Sequence, residues 1–127
     1  MKIAVLIARI LLGLEFLIFG LNGFFHFLPM PPTPGAAGEY LGVLFTAHML
    51  VLPFLLQTVG GLLLLVNRFV PLALILLGPV LVKILEFHIL LAPAGLPMAL
   101  ITLLLWLVIF FGVRRAFSGV FAAKTEV

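Results

Sequence analysis

Seven polar or ionisable side chains stand inside stretches that are otherwise almost wholly apolar: Glu15, Asn22, His26, His48, Lys83, Glu86 and His88. Inside a bilayer each ionisable group costs about 2.5 kcal/mol or more unless it faces the protein interior and finds a partner, so residues of this kind are candidates for binding or proton chemistry by default. At 100° per residue, Glu15, Asn22 and His26 fall within about 40° of one another, a polar stripe along one helix. Lys83 and Glu86, three apart, are spaced for a helical ion pair. His88 points about 140° away from Lys83, toward another neighbour. Their depths, counted along the helices, allow one shared polar chamber that binds a ligand by hydrogen bonds, with His48 or His88 exchanging protons near neutral pH. The structural alternative is that Lys83 is neutralised by Glu86 or Glu15 and merely holds the helices in register. Arg9, Gln57, Thr58 and Asn67 form a second, smaller polar set at the other end.

Several chemistries are excluded or disfavoured. With no cysteine there is no disulfide, thiolate nucleophile, Fe–S ligation or dithiol relay. No HxxxH or ExxH pair occurs, so no metal site is assigned. A haem between His48 and His88 needs axial ligands at one depth, and these differ by about 7 Å. The net charge of +3 does not indicate nucleic acid, because the cations sit at helix ends and inside helices and form no water-facing stripe. The 13 phenylalanines suit an apolar or aromatic ligand site, although in a membrane protein they are more often lipid-facing filler.

The elements that must position these residues are dictated by composition. Of 127 residues 65% are hydrophobic and 9% charged, with a mean hydropathy of +1.46, where a soluble domain is about half apolar and a quarter charged. The apolar runs approach the roughly 20 residues that cross a hydrocarbon core. The reading is all-α: a single polytopic membrane domain over 1–127, with four transmembrane helices at about 3–28, 40–66, 69–91 and 96–113 in an antiparallel bundle. The first run is retained as a helix, having no small-residue cleavage site and carrying Arg9 and Glu15. Pro29, Pro31, Pro32 and Pro34 make a stiff non-helical loop, and kinks are expected at Pro53 and Gly78-Pro79. Lys2, Arg68, Arg114, Arg115 and Lys124 fall on the side of the termini, and the 29–39 loop and 92–95 turn carry no lysine or arginine. The positive-inside rule therefore puts both termini in the cytoplasm. Small residues at Ala4/Ala8, Gly13/Gly20/Gly23 and Gly60/Gly61 let helices approach closely, within the bundle or in a homo-oligomer. Phe25-His26 and Phe87-His88, each ending a helix before a turn, echo one another as two hairpin repeats would, and as chance in a low-complexity sequence would.

The run from Arg9 to Phe24 (RILLGLEFLIFGLNGF), the Pro-rich loop, Gly60 to Arg68 (GGLLLLVNR) leading into Pro71, and Glu86-Phe87-His88 together resemble the DoxX-like family of small bacterial membrane proteins. The likeness covers nearly the whole chain and rests on the order and spacing of these segments. It implies a four-helix bundle in the bacterial cytoplasmic (inner) membrane, with Arg9, Gly13, Gly20, Asn22, Gly60, Gly61, Arg68, Pro71 and His88 at family-like positions. Gly23 and Lys83 depart from it, where lysine and asparagine respectively are commoner. Some relatives are described as membrane subunits of quinone-linked sulfur oxidation, others as membrane partners in redox defence. The resemblance thus implies a quinone- or lipid-binding subunit acting with a protein partner in a redox or stress process, quinone being the cofactor it suggests. Two other readings stay open: a non-enzymatic adaptor or assembly factor, and a small proton- or cation-coupled transporter using Glu15 and the histidines.

Overall fold

The computed structural model describes residues 2–28 and 33–126. Three of the four prolines of the expected stiff loop, Pro29, Pro31 and Pro32, lie outside the described residues. Among the described residues there are helices and turns and no strand. The five α-helices are α1 (Lys2–Phe25), α2 (Gly35–Thr46), α3 (Val51–Leu65), α4 (Val70–Leu90) and α5 (Leu96–Gly112), with 3-10 turns at Pro93–Gly95 and Arg114–Phe117. By length and hydropathy α1, α4 and α5 with its leading turn are each able to cross a membrane, and α2 with α3 passes the same test only as a pair bent by 88°.

α1 packs chiefly on α3 and also on α5, while α4 closes the set by packing on both α3 and α5. Glycines set the α1–α3 seam. A Cβ on Gly61 would meet the Leu17 amide nitrogen at 2.5 Å, and one on Gly20 would meet Thr58 Oγ1 at 2.5 Å. Position 13 lies against 61–65 and position 20 against 54–58, so these two helices pass in opposite directions. α1 buries Ala8, Leu12, Phe16 and Gly20, a stripe of four-residue steps, and turns Ile3, Ile7, Leu11, Leu14 and Ile18 outward. The core gathers these with Leu64, Leu74, Leu77 and Ile109, and Phe117 of the last 3-10 turn joins them. It therefore lies toward the end of the bundle that carries the termini. Much of the exterior is apolar too: Ile3, Phe25 and Leu90 are each more than 70% exposed, among many other exposed large hydrophobic residues, which water does not tolerate on this scale and lipid does.

The second expected span, 40–66, is not one helix. It begins earlier, at Gly35, and instead of kinking at Pro53 it breaks at residues 47–50. Pro53 supplies the reason. A proline has no amide hydrogen and its ring clashes with the carbonyl four residues back, here that of Met49, so a helix accommodates it without distortion only in its first turn. α3 restarts at Val51 and puts Pro53 there. Upstream, α2 is closed by His48, which adopts φ 60°, with its N–H on the Phe45 carbonyl at 3.2 Å and the Met49 N–H on the Leu44 carbonyl at 2.9 Å. This is the Schellman arrangement, with a histidine where glycine usually stands. The same device ends α3, where Asn67 has φ 54° and the Arg68 N–H reaches the Leu63 carbonyl at 3.1 Å. Pro79, in contrast, sits inside a continuous α4. There Trp106 Nε1 of α5 donates to the Leu74 carbonyl at 3.2 Å, beside the Ile75 carbonyl that Pro79 leaves without its helical donor.

Candidate functional site

The break between α2 and α3 creates a site. α2 packs closely on none of the other helices at the backbone level, and reaches α4 through the stacked rings of Tyr40 and Phe87, 6.0 Å apart. Between α2, the turn, α3 and α4 lies a groove of about 450 Å³, within the range of small-molecule sites. Most of its wall is apolar, with Leu44, Leu50, Pro53, Phe54, Val80 and Ile84 among the lining residues. The polar residues of the wall are few: Tyr40 from α2, Gln57 from α3, and Lys83 and His88 from α4.

Lys83 Nζ donates to Glu86 Oε1 at 2.8 Å, and both side chains are more than half exposed. An ammonium has three donors, so this bond leaves two for other acceptors. His88 Nδ1 lies 2.7 Å from the Ile84 carbonyl. A carbonyl oxygen only accepts, so Nδ1 carries a proton, and in the neutral ring Nε2 is left as an acceptor. Gly95 makes room for this ring, since a Cβ there would fall 2.3 Å from His88 Cδ2. The groove thus presents donors from Lys83 and an aromatic pair beside a long apolar wall, with the His88 ring at its edge and its Nε2 turned to Gly95.

Of the seven residues singled out in the sequence, Lys83 and His88 line this groove and Glu86 joins it through Lys83. The other four occupy separate places. Glu15, half-buried on α1, accepts a hydrogen bond from Thr102 Oγ1 of α5 at 2.5 Å. Asn22 is buried and its Oδ1 accepts the Leu28 N–H at 2.7 Å, which holds the chain as it leaves α1. His26 and His48 are exposed, with φ of 51° and 60°, and each is the left-handed residue that stops its helix. His26 additionally meets Phe45 of α2 edge to face.

No protein-family model, curated protein or solved structure matches the chain.

Two residues that line the groove, Tyr40 and Gln57, and one outside it, Thr102, do not stand out in the sequence. Tyr40 reads as the start of a helix, and only the perpendicular turn of α2 brings it over α4. Gln57, buried, groups by sequence with the opposite polar set, although it lies four residues after Pro53 and so shares its helix face. Thr102 carries the clearest overlooked signal. Between Leu96 and Gly112 it is the one hydroxyl-bearing residue, and it is 3% exposed, tied to Glu15 and to the Met98 carbonyl at 3.0 Å. Arg9 also gains a partner: its Nη1 donates to the carbonyls of Leu64 and Leu65, the terminal acceptors of α3.

Proposed function

We propose that this chain is a four-span protein of the bacterial cytoplasmic membrane that holds a quinone in the α2–α3–α4 groove, as a DoxX-like subunit working with a protein partner in a redox or stress process. In this reading α1, α3, α4 and α5 cross the bilayer as an antiparallel bundle. α2 lies along the outer interface, perpendicular to α3, and both termini are cytoplasmic. The lack of lysine and arginine at the end occupied by α2 and the 92–95 turn supports that orientation.

The groove is the observation that carries the reading. A quinone has a flat ring with two carbonyls and a long apolar tail. Tyr40 and Phe87 offer a surface for the ring, a free Lys83 N–H donates to a carbonyl, and the His88 ring closes the same wall. The leucines and Pro53 along α3 take the tail. A phospholipid of two acyl chains makes less use of the stacked aromatic pair. The test is mass spectrometry of an organic extract from protein purified in mild detergent, beside Lys83→Ala/His88→Ala prepared identically. Near-stoichiometric quinone in the wild type, lost from the double variant, is the expected result. Bulk phospholipid alone in both extracts refutes it.

A further inference from the structure

A second cavity, of about 350 Å³, opens at the end of the bundle that carries the termini, and the proposed quinone groove makes no use of it. Lys2 and Arg9 of α1 line it together with Asn67 of the α3–α4 turn, and its walls include Val5, Leu6 and Val70. α1 runs on past the end of α3 here. Arg9 lies level with the last carbonyls of α3, and the turn of helix before it projects beyond the α3–α4 turn, which leaves a recess beneath Asn67. The closeness of α1 to α5 at Gly112, where a Cβ would fall 2.5 Å from Val5 Cγ2, forms one wall.

The charge of this recess is uncompensated among the described residues. Two cations line it and no carboxylate does. Of the chain's four acids, Glu15 is held by Thr102, Glu86 pairs with Lys83, Glu39 belongs to α2, and Glu126 lies in the exposed tail. Arg9 is oriented by its bonds to Leu64 and Leu65, but carbonyls are neutral acceptors and leave its charge intact. Two more arginines, Arg68 and Arg114, are next in the chain to the lining residues Asn67 and Val113.

We propose that this recess binds the phosphate of an anionic phospholipid headgroup. Lys2 and Arg9 pair with its oxygens, the Asn67 amide donates to it, and Val5, Leu6 and Val70 take the glycerol and first methylenes. Basic pockets between transmembrane helices on the cytoplasmic side suit such headgroups, and guanidinium matches phosphate geometry. The proposal rests on the membrane reading of these helices and is independent of the groove. Free inorganic phosphate shares the chemistry but leaves the apolar walls unused.

The experiment is native mass spectrometry of the full chain in mild detergent, equilibrated with phosphatidylglycerol or with phosphatidylcholine of the same acyl chains. One retained phosphatidylglycerol per chain, preferred about tenfold, is expected, as is retention about fivefold weaker in Lys2→Gln, since each basic residue near an anionic surface contributes about this factor. Lys83→Ala is expected to retain the lipid fully, which separates this site from the groove. Arg9→Gln should weaken retention further. Because Arg9 also caps α3, the exposed Lys2 provides the variant that does not threaten the fold. Equal retention of the two lipids, or no change in Lys2→Gln, overturns the proposal. Displacement of phosphatidylglycerol by low-millimolar inorganic phosphate overturns the lipid as the source of the anion.

Discussion

Thr102 and Glu15 form a tie between α1 and α5 through a single hydroxyl. Interhelical hydrogen bonds inside membrane bundles contribute about 0.6 kcal/mol on average and up to about 2. Thr102→Val removes the donor while keeping the shape, and should lower stability in detergent by about 1 kcal/mol in thermal unfolding, with Thr102→Ser close to wild type. His48 carries a different kind of content. A non-glycine residue at φ 60° bears a backbone cost that glycine does not, so His48→Gly should leave α2 closed and raise stability by about 0.5–1 kcal/mol, checked by the same measurement. At this scale the sequence showed that Glu15 and the histidines were out of place in an apolar chain. It did not show that two histidines end helices, because that role usually announces itself by glycine. Thr102 was legible as a lone hydroxyl in an apolar run, but a search restricted to ionisable groups passes over it.

Among the elements, the α1–α3 seam is the most exacting, since backbone meets backbone there. Gly61→Ala places a methyl 2.5 Å from the Leu17 nitrogen and 2.8 Å from the Gly13 carbonyl, neither of which is a flexible side-chain end. It should cost about 2 kcal/mol or more, whereas Gly42→Ala in α2, with nothing within 4 Å of its Cβ, should be neutral or slightly stabilising. Comparative unfolding of the two variants checks the pair. The glycine spacing that marks this seam was visible in the sequence, as were the positions of α1, α4 and α5 to within a few residues. Hydropathy merges α2 and α3 into one span, because the sequence stays largely apolar from Thr46 to Val51 and hydropathy is blind to direction. Pro53 was the available clue. It signals a kink when the helix continues around it and a break when the preceding turn already has a residue able to adopt positive φ, which His48 does.

For the molecule as a whole, orientation is the property most open to direct test. The chain has no cysteine, so single replacements report without background. Glu39→Cys on α2 should react with a membrane-impermeant maleimide in intact spheroplasts, and Ser118→Cys, after the last 3-10 turn, only once the membrane is permeabilised. The reverse pattern would invert the assignment of both ends. Charge asymmetry was fully legible in the sequence, whereas the two cavities were not, because each arises where helices end at different levels. That inequality reaches beyond the protein. α3 has 15 residues and stands about 22 Å tall, while its neighbour α1 has 24 and stands about 36 Å. Val51, Leu55, Val59, Leu62 and Val66 face outward along the short side. On the proposed four-span reading, acyl chains along that wall bend or shorten to match it, against a hydrocarbon core of about 30 Å. In that reading the bilayer is thinnest next to α3, and a molecule seated at the groove mouth lies nearer the membrane midplane than its distance from the surface elsewhere would suggest.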